Sequence, residues 1–241
     1  MGAASNGFAA GAFADAVIVF DLDGTLVDSA PDLTRALNET LDLEGLPPVS
    51  VAKARKMVGQ GARVLIERAA ASSGVSFSPA HLDELTRSFI GFYRVDIASA
   101  TAPYPGAPEA LAKLANAGAK LAVCTNKRTD LSVQLLDALG LTARFSAIVG
   151  ADATPNKKPH PDHYRAAVAR AGGDVRRSVM IGDTVSDVGA AKAAGAPVIL
   201  VRFGYGEDAL ETLGADAIAE RFSEIPAMCA RLLNSRASAF S

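Results

Sequence analysis

The run VIVFDLDGTLVDS, Val17 to Ser29, places Asp21 and Asp23 two residues apart directly after an apolar stretch. A strand alternates its side chains with period two, so both carboxylates project to the same side of the backbone. Like charges that close repel, and they need a cation, a shared proton, or a sheet end where solvent and ligand take over. Three more apolar runs lead into polar residues that a plain scaffold does not need. These are Thr125-Asn126-Lys127, Asn156-Lys157-Lys158-Pro159-His160-Pro161 and Gly182-Asp183-Thr184-Val185-Ser186-Asp187. If the runs are neighbouring strands, three or four carboxylates, a hydroxyl and a lysine converge on one crevice.

The elements that must position them follow from periodicity. AVIVF (16–20), KLAVCT (120–125), SAIVG (146–150), SVMIGD (178–183) and PVILVRF (197–203) read as buried parallel strands. Helical patterns lie between them: PEALAKLANAG (108–118), DLSVQLLDALG (130–140), HYRAAVARAG (163–172) and SDVGAAKAAG (186–195). Alternating strand and helix predicts an α/β fold, a Rossmann-like open parallel sheet whose ligands bind beyond the carboxyl ends of the strands. Residues 29–103 break this rhythm with helical patterns and no buried strand, so they read as an inserted helical cap on a core of 16–28 and 104–241. Residues 1–15 read as a flexible tail.

With 241 residues the chain can bury a sizeable core, and a net charge of −2 without a basic run gives no footprint for nucleic acid or an anionic membrane. No segment approaches 18 consecutive apolar residues, and residues 1–15 lack the positive start of a secretory signal. Cys124 and Cys229 have no metal-ligand spacing and read as reduced thiols of a cytoplasmic protein. A small-molecule partner is expected, with the chain a monomer or homodimer; Phe89, Phe92 and Tyr93 suit internal packing as well as an interface.

DLDGT, TN, KPHP and GDTVSD, in this order and spacing, resemble the haloacid dehalogenase superfamily of phosphohydrolases. VGQGARVLIERA, TNK, NKKPHPD and GDTVSDVGAAKAAG are most similar to its bacterial phosphoglycolate phosphatases. The resemblance implies Asp21 as nucleophile, forming an aspartyl-phosphate, and Asp23 as general acid and then base. It further implies Mg²⁺ held by the Asp21 carboxylate, the Asp23 carbonyl and Asp183, with Asp187 behind or beside it. Thr125 and the Asn126 N–H would bind phosphoryl oxygens, and Lys158 would neutralise charge on Asp21 and the transferring group. The acid at Asp23 points away from the C–Cl and C–P branches.

Other readings of these residues are weaker. A calcium loop needs glycine at position six, whereas Gly24 is at position four. Asp183 and Asp187 could merely complement a helix dipole, Thr125 could cap a helix, and Lys157 reads as solvated. His81, His160 and His163 read as structural or surface, Cys124 as packed core, and GYG (204–206) as a turn. Gly59-Gln60-Gly61 before a helical pattern suits an anion, so a substrate carboxylate is expected there, helped by Arg63 or Lys56. The expected substrate is a small phosphorylated organic acid or sugar, foremost 2-phosphoglycolate. The rival readings are a β-phosphoglucomutase-like mutase, a pyrophosphatase, a broad sugar-phosphate phosphatase and, more remotely, an idle phospho-ligand-binding relative.

Overall fold

A computed structural model describes residues 8, 9, 11–206 and 209–239. The β-branched runs form the centre of a parallel sheet: β1 (Val17–Phe20) lies between β4 (Lys120–Cys124) and β6 (Ser178–Gly182). With β5 (Ala147–Val149), β7 (Val198–Val201) and β8 (Ala217–Ala219) the order is β5-β4-β1-β6-β7-β8. From β1 the chain builds first to one side and then to the other, which opens a crevice beyond the carboxyl ends of β4, β1 and β6.

Period-two alternation divides the sheet residues between two faces. Ile18, Phe20, Leu121, Val123, Val179 and Ile181 pack with residues of α5 (Ala107–Asn116), α6 (Thr129–Ala138) and α9 (Ile225–Ala239). Val17, Val19, Ala122, Cys124 and Met180 pack with α7 (Pro161–Arg170) and α8 (Val185–Ala194). Between β1 and β4 the chain forms α1 (Ala30–Asp42), α2 (Val51–Arg55), α3 (Ala62–Ala71) and α4 (Pro79–Val95). Their apolar stripes, including Leu37, Ile66, Leu85 and Phe89, are buried in one cluster that continues into the sheet face. The chain enters and leaves this segment through a short antiparallel pair, β2 (Val27–Asp28) with β3 (Ala102–Pro103).

Two expectations need correction. Of the expected tail, residues 1–7 and 10 lie outside the described residues, but Phe13 is fully buried in the core and its N–H donates to Ala117 O at 2.9 Å. Phe8 packs edge-on against it, because an aromatic side chain amid small residues has apolar area to bury. The sequence reading also lacked β8, whose AIA run is too short for a visible period.

Two buried side chains fix the loops that lead to the crevice. Asp32, near the start of α1, accepts from Ala100 N at 3.0 Å, Thr101 N at 2.8 Å and Thr101 Oγ1 at 2.6 Å, tying the two ends of the inserted segment together. His163 at the start of α7 accepts at Nδ1 from Lys158 N at 3.1 Å, and its Nε2 donates to Gly150 O at 3.0 Å. This arrangement requires the neutral ring. Burial, aided by the positive charge of Lys158, lowers the His163 pKa from 6.5 to about 4.

Truncation at Asp32 strands two buried donors, the Thr101 N–H and O–H, and the part-buried Ala100 N–H, so Asp32→Ala is expected to lower the free energy of urea unfolding by about 3 kcal/mol. The exposed Asp42→Ala serves as control, with a change within about 0.5 kcal/mol; equal effects would refute the tie. The His163 pKa is depressed in the folded state, so its contribution is present above 6.5 and is lost as pH falls toward 4. Between pH 8 and 5, unfolding free energy should fall by about 2 kcal/mol more in the wild type than in His163→Asn. Identical pH slopes would contradict a neutral, buried ring.

Candidate active site

The residue after β1 and the residue after β6 face each other across paired strands, and both are aspartates. Asp21 and Asp183 are buried with Asp187 from the first turn of α8, and one oxygen of each lies within 4.8 Å of the others. Lys158, from the loop between β5 and α7, puts its Nζ 2.9 Å from Asp21 Oδ1 and 2.6 Å from Asp187 Oδ1. Burial works against the ammonium, but the Asp187 and Asp21 charges outweigh it and hold the lysine pKa above its ordinary value. Burial pushes Asp21 up to about 6; Lys158 pulls it down and Asp187 adds to the rise.

Asp183 differs from Asp21 in its partners. Thr25 Oγ1 and the Tyr205 N–H donate to its two oxygens at 2.9 and 2.8 Å, and among the described residues no basic side chain pairs with it. Burial raises its carboxyl well above the usual range, and the Asp21 and Asp187 charges add to this. An all-oxygen donor set with excess buried negative charge is what a hard divalent cation such as Mg²⁺ requires, so these residues fit the expected ion. Asp187 is more committed. Its Oδ1 takes Lys158, while its Oδ2 accepts from Thr184 N at 3.0 Å and Thr184 Oγ1 at 2.8 Å in the N-terminal turn of α8.

Asp23 lines the same cleft as Asp21 but has a separate set of partners. Lys127 Nζ lies 2.9 Å from its Oδ2, and Ser29 Oγ donates to Oδ1. The turn that returns the chain to Asp23 depends on Gly24, whose φ of +83° is in the left-handed region. A Cβ there would also collide with Asp183 Oδ2 and the Tyr205 ring. Thr125 is buried at the end of β4, accepting from Lys127 N at 3.2 Å. Asn126 Nδ2 bridges Gly59 O at 3.0 Å and Lys158 O at 3.1 Å, while its buried Oδ1 has no hydrogen-bond partner among the described residues.

The residues expected in the cap loop divide. Gly59 and Gly61 line the cleft, whereas Gln60 lines a neighbouring groove and offers its carbonyl to Lys157 Nζ at 2.6 Å. Lys157 thus joins loop to loop, a bond its solvated reading did not include. Arg63 turns outward to an exposed ion pair with Asp83, because a guanidinium on the solvent side of α3 finds its carboxylate on α4. It is therefore not in the cleft. Cys124 is buried, and burial pushes its thiol up to about 12, in keeping with a packed core residue.

Sequence reasoning placed Lys127 at a polar strand end and Tyr93 and Tyr205 in packing and a turn, and gave none of the three a role in the site. Lys127 carried a usable signal: it stands two residues past Thr125 at a strand end, as Asp23 does past Asp21. Tyr205, read as part of a turn, supplies the N–H to Asp183 and a hydroxyl that donates to Asp28 Oδ1 at 2.7 Å and accepts from Ala30 N at 2.9 Å. Its pairing across the whole chain leaves no local pattern.

Residues 16–195 match the family described as haloacid dehalogenase-like hydrolase. A phosphoglycolate phosphatase of Caulobacter vibrioides is 51% identical over 220 residues, covering 91% of this chain and 93% of the relative. One from Mesorhizobium japonicum is 44% identical, covering 87% and 92%. The crystal structure of a predicted phosphoglycolate phosphatase from Haemophilus somnus 129PT superposes with a TM-score of 0.82 at 30% identity, covering 90% and 98%. No described helix is long and apolar enough to cross a membrane. The chain belongs to the haloacid dehalogenase-like hydrolase family.

Proposed function

We propose that this protein hydrolyses 2-phosphoglycolate to glycolate and phosphate through an aspartyl-phosphate. The observation that carries the reading is the pair Asp21 and Asp23 in one cleft, each held by a different lysine, in a chain whose relatives above are called phosphoglycolate phosphatases. An Asp21 oxygen attacks phosphorus and the bond from phosphorus to the glycolate oxygen breaks, with Asp23 giving that oxygen its proton. Asp23 then takes a proton from water, whose oxygen attacks phosphorus and releases phosphate from Asp21.

Lys158 keeps Asp21 oriented and offsets charge gathering on the phosphoryl oxygens, and Asp187 anchors Lys158. Thr125 and the Asn126 N–H bind those oxygens. Mg²⁺ would be held by the Asp21 carboxylate, the Asp23 carbonyl and Asp183, with Asp187 occupied by its lysine. When bound, the ion supplies positive charge that offsets the carboxylates and the phosphoryl group. Enzymes accelerate phosphomonoester hydrolysis by up to about 10²¹, near 28 kcal/mol, and one preorganised donor contributes about 3 to 4 kcal/mol, so the groups must act together. Residues 29–103 serve as the cap that covers the reacting groups.

Steady-state phosphate release with Mg²⁺ from 2-phosphoglycolate, pyrophosphate, glucose 6-phosphate and p-nitrophenyl phosphate tests the reading. The kcat/KM for 2-phosphoglycolate should exceed the others at least about tenfold, and Asp21→Asn should lower it by about a thousandfold or more. Equal rates on all four would refute the substrate, a faster rate on pyrophosphate would favour a pyrophosphatase, and activity surviving Asp21→Asn would refute the nucleophile.

A further inference from the structure

We propose that Lys127 and Tyr93 together form the subsite that selects a carboxylate one carbon beyond the leaving oxygen, so that the site prefers 2-phosphooxy carboxylic acids over neutral phosphate esters. This rests on the reading above, in which Asp23 protonates the leaving oxygen. Lys127 comes from the loop after β4 and Tyr93 from α4, so the subsite spans the sheet domain and the inserted helices. Both line the cleft, and the Lys127 ammonium sits 4.5 Å from the centre of the Tyr93 ring. Tyr93 is fully buried, and among the described residues no acceptor takes its hydroxyl proton, the Lys127 ammonium being the polar group beside it. A buried donor is normally satisfied, so a hydroxyl in the wall of a cleft with no acceptor of its own calls for one on the ligand.

Position fixes which group that is. The Asp23 carboxylate that touches the leaving oxygen also touches Lys127 at 2.9 Å, so the substituent on the next carbon falls beside the ammonium. Lys127 already holds one carboxylate there, and its three N–H donors leave room for a second. The other cations near the cleft are engaged elsewhere: Lys158 by Asp21 and Asp187, Arg128 by Asp130, and Arg63 by Asp83. The remaining wall includes Leu33, Phe89, Ile90 and Leu131, whose low polarity strengthens a lone charge interaction and leaves a neutral substituent without a partner. The carboxylate anchor expected at Gly59-Gln60-Gly61, helped by Arg63 or Lys56, is thereby assigned to Lys127.

The test compares kcat/KM with Mg²⁺ for 2-phosphoglycolate and for 2-hydroxyethyl phosphate, which carries a neutral hydroxymethyl group in place of the carboxylate, in the full chain and in Lys127→Met, Lys127→Arg and Tyr93→Phe. The ratio of the two constants should fall about 100-fold in Lys127→Met, mainly through KM for 2-phosphoglycolate, and about tenfold in Tyr93→Phe. Lys127→Arg, which restores the charge, should recover part of the loss. Tyr93→Phe keeps the packed ring, so it reads the subsite even if Lys127→Met does not fold. A high wild-type ratio that persists in Lys127→Met or, should that variant not fold, in Tyr93→Phe overturns the subsite and leaves the phosphoglycolate reading standing. A wild-type ratio near one overturns that reading itself.

Discussion

Carboxylates crowded at the end of a parallel sheet repel one another, and burial strengthens the repulsion by removing the water that would screen it. Asp21, Asp183 and Asp187 are in that position, and the single ammonium of Lys158 lies between two of them. This pairing depends on the sheet order. Asp21 follows the central strand, Asp183 the strand beside it, and Lys158 a loop reached only after the chain has built outward through β4 and β5. The cluster can therefore form only once the sheet has formed. His163 takes part from behind by holding the backbone of Lys158 and Gly150.

A second lysine makes a division of labour possible. Two aspartates with period-two spacing would otherwise share one environment. Lys158 takes Asp21 and Lys127 takes Asp23, so each carboxylate has a cation of its own. The inserted helices are tied into the same arrangement at several points. Asp32 fastens residues 100 and 101, Arg55 pairs with Asp28 at 2.5 Å, and Asn126 reaches across to Gly59. The cleft thus has one wall from the sheet loops and one from the insertion, and those walls meet at Lys127 and Tyr93.

Much of this was legible in the sequence where the signal is local. Runs such as VIVF and SVMIG announce strands buried on both faces, and each is followed directly by its aspartate, so the position of Asp21 beside Asp183 follows once the strands are neighbours. Gly24 was quoted as part of DLDGT, but its need for a left-handed φ and for close approach to Asp183 is visible only in space. Side-chain direction was less legible. Arg63 and Lys127 are equally basic in the sequence, yet one sits on the outer side of α3 and the other at a strand end that points into the crevice. Phe13 was hidden because a lone aromatic has no period, and its burial is decided by the distant α5 and the strands it covers.

The nucleophilic role proposed for Asp21 is tested most directly by trapping. Full-length protein turning over 2-phosphoglycolate with Mg²⁺ is quenched in acid, digested, and its peptides analysed by mass spectrometry for an added phosphoryl group. A phosphoryl group on Asp21, absent from Asp21→Asn, is the result required by the carboxylate's placement against Lys158. A phosphoryl group on any other side chain, or none on the protein while turnover proceeds, would contradict it.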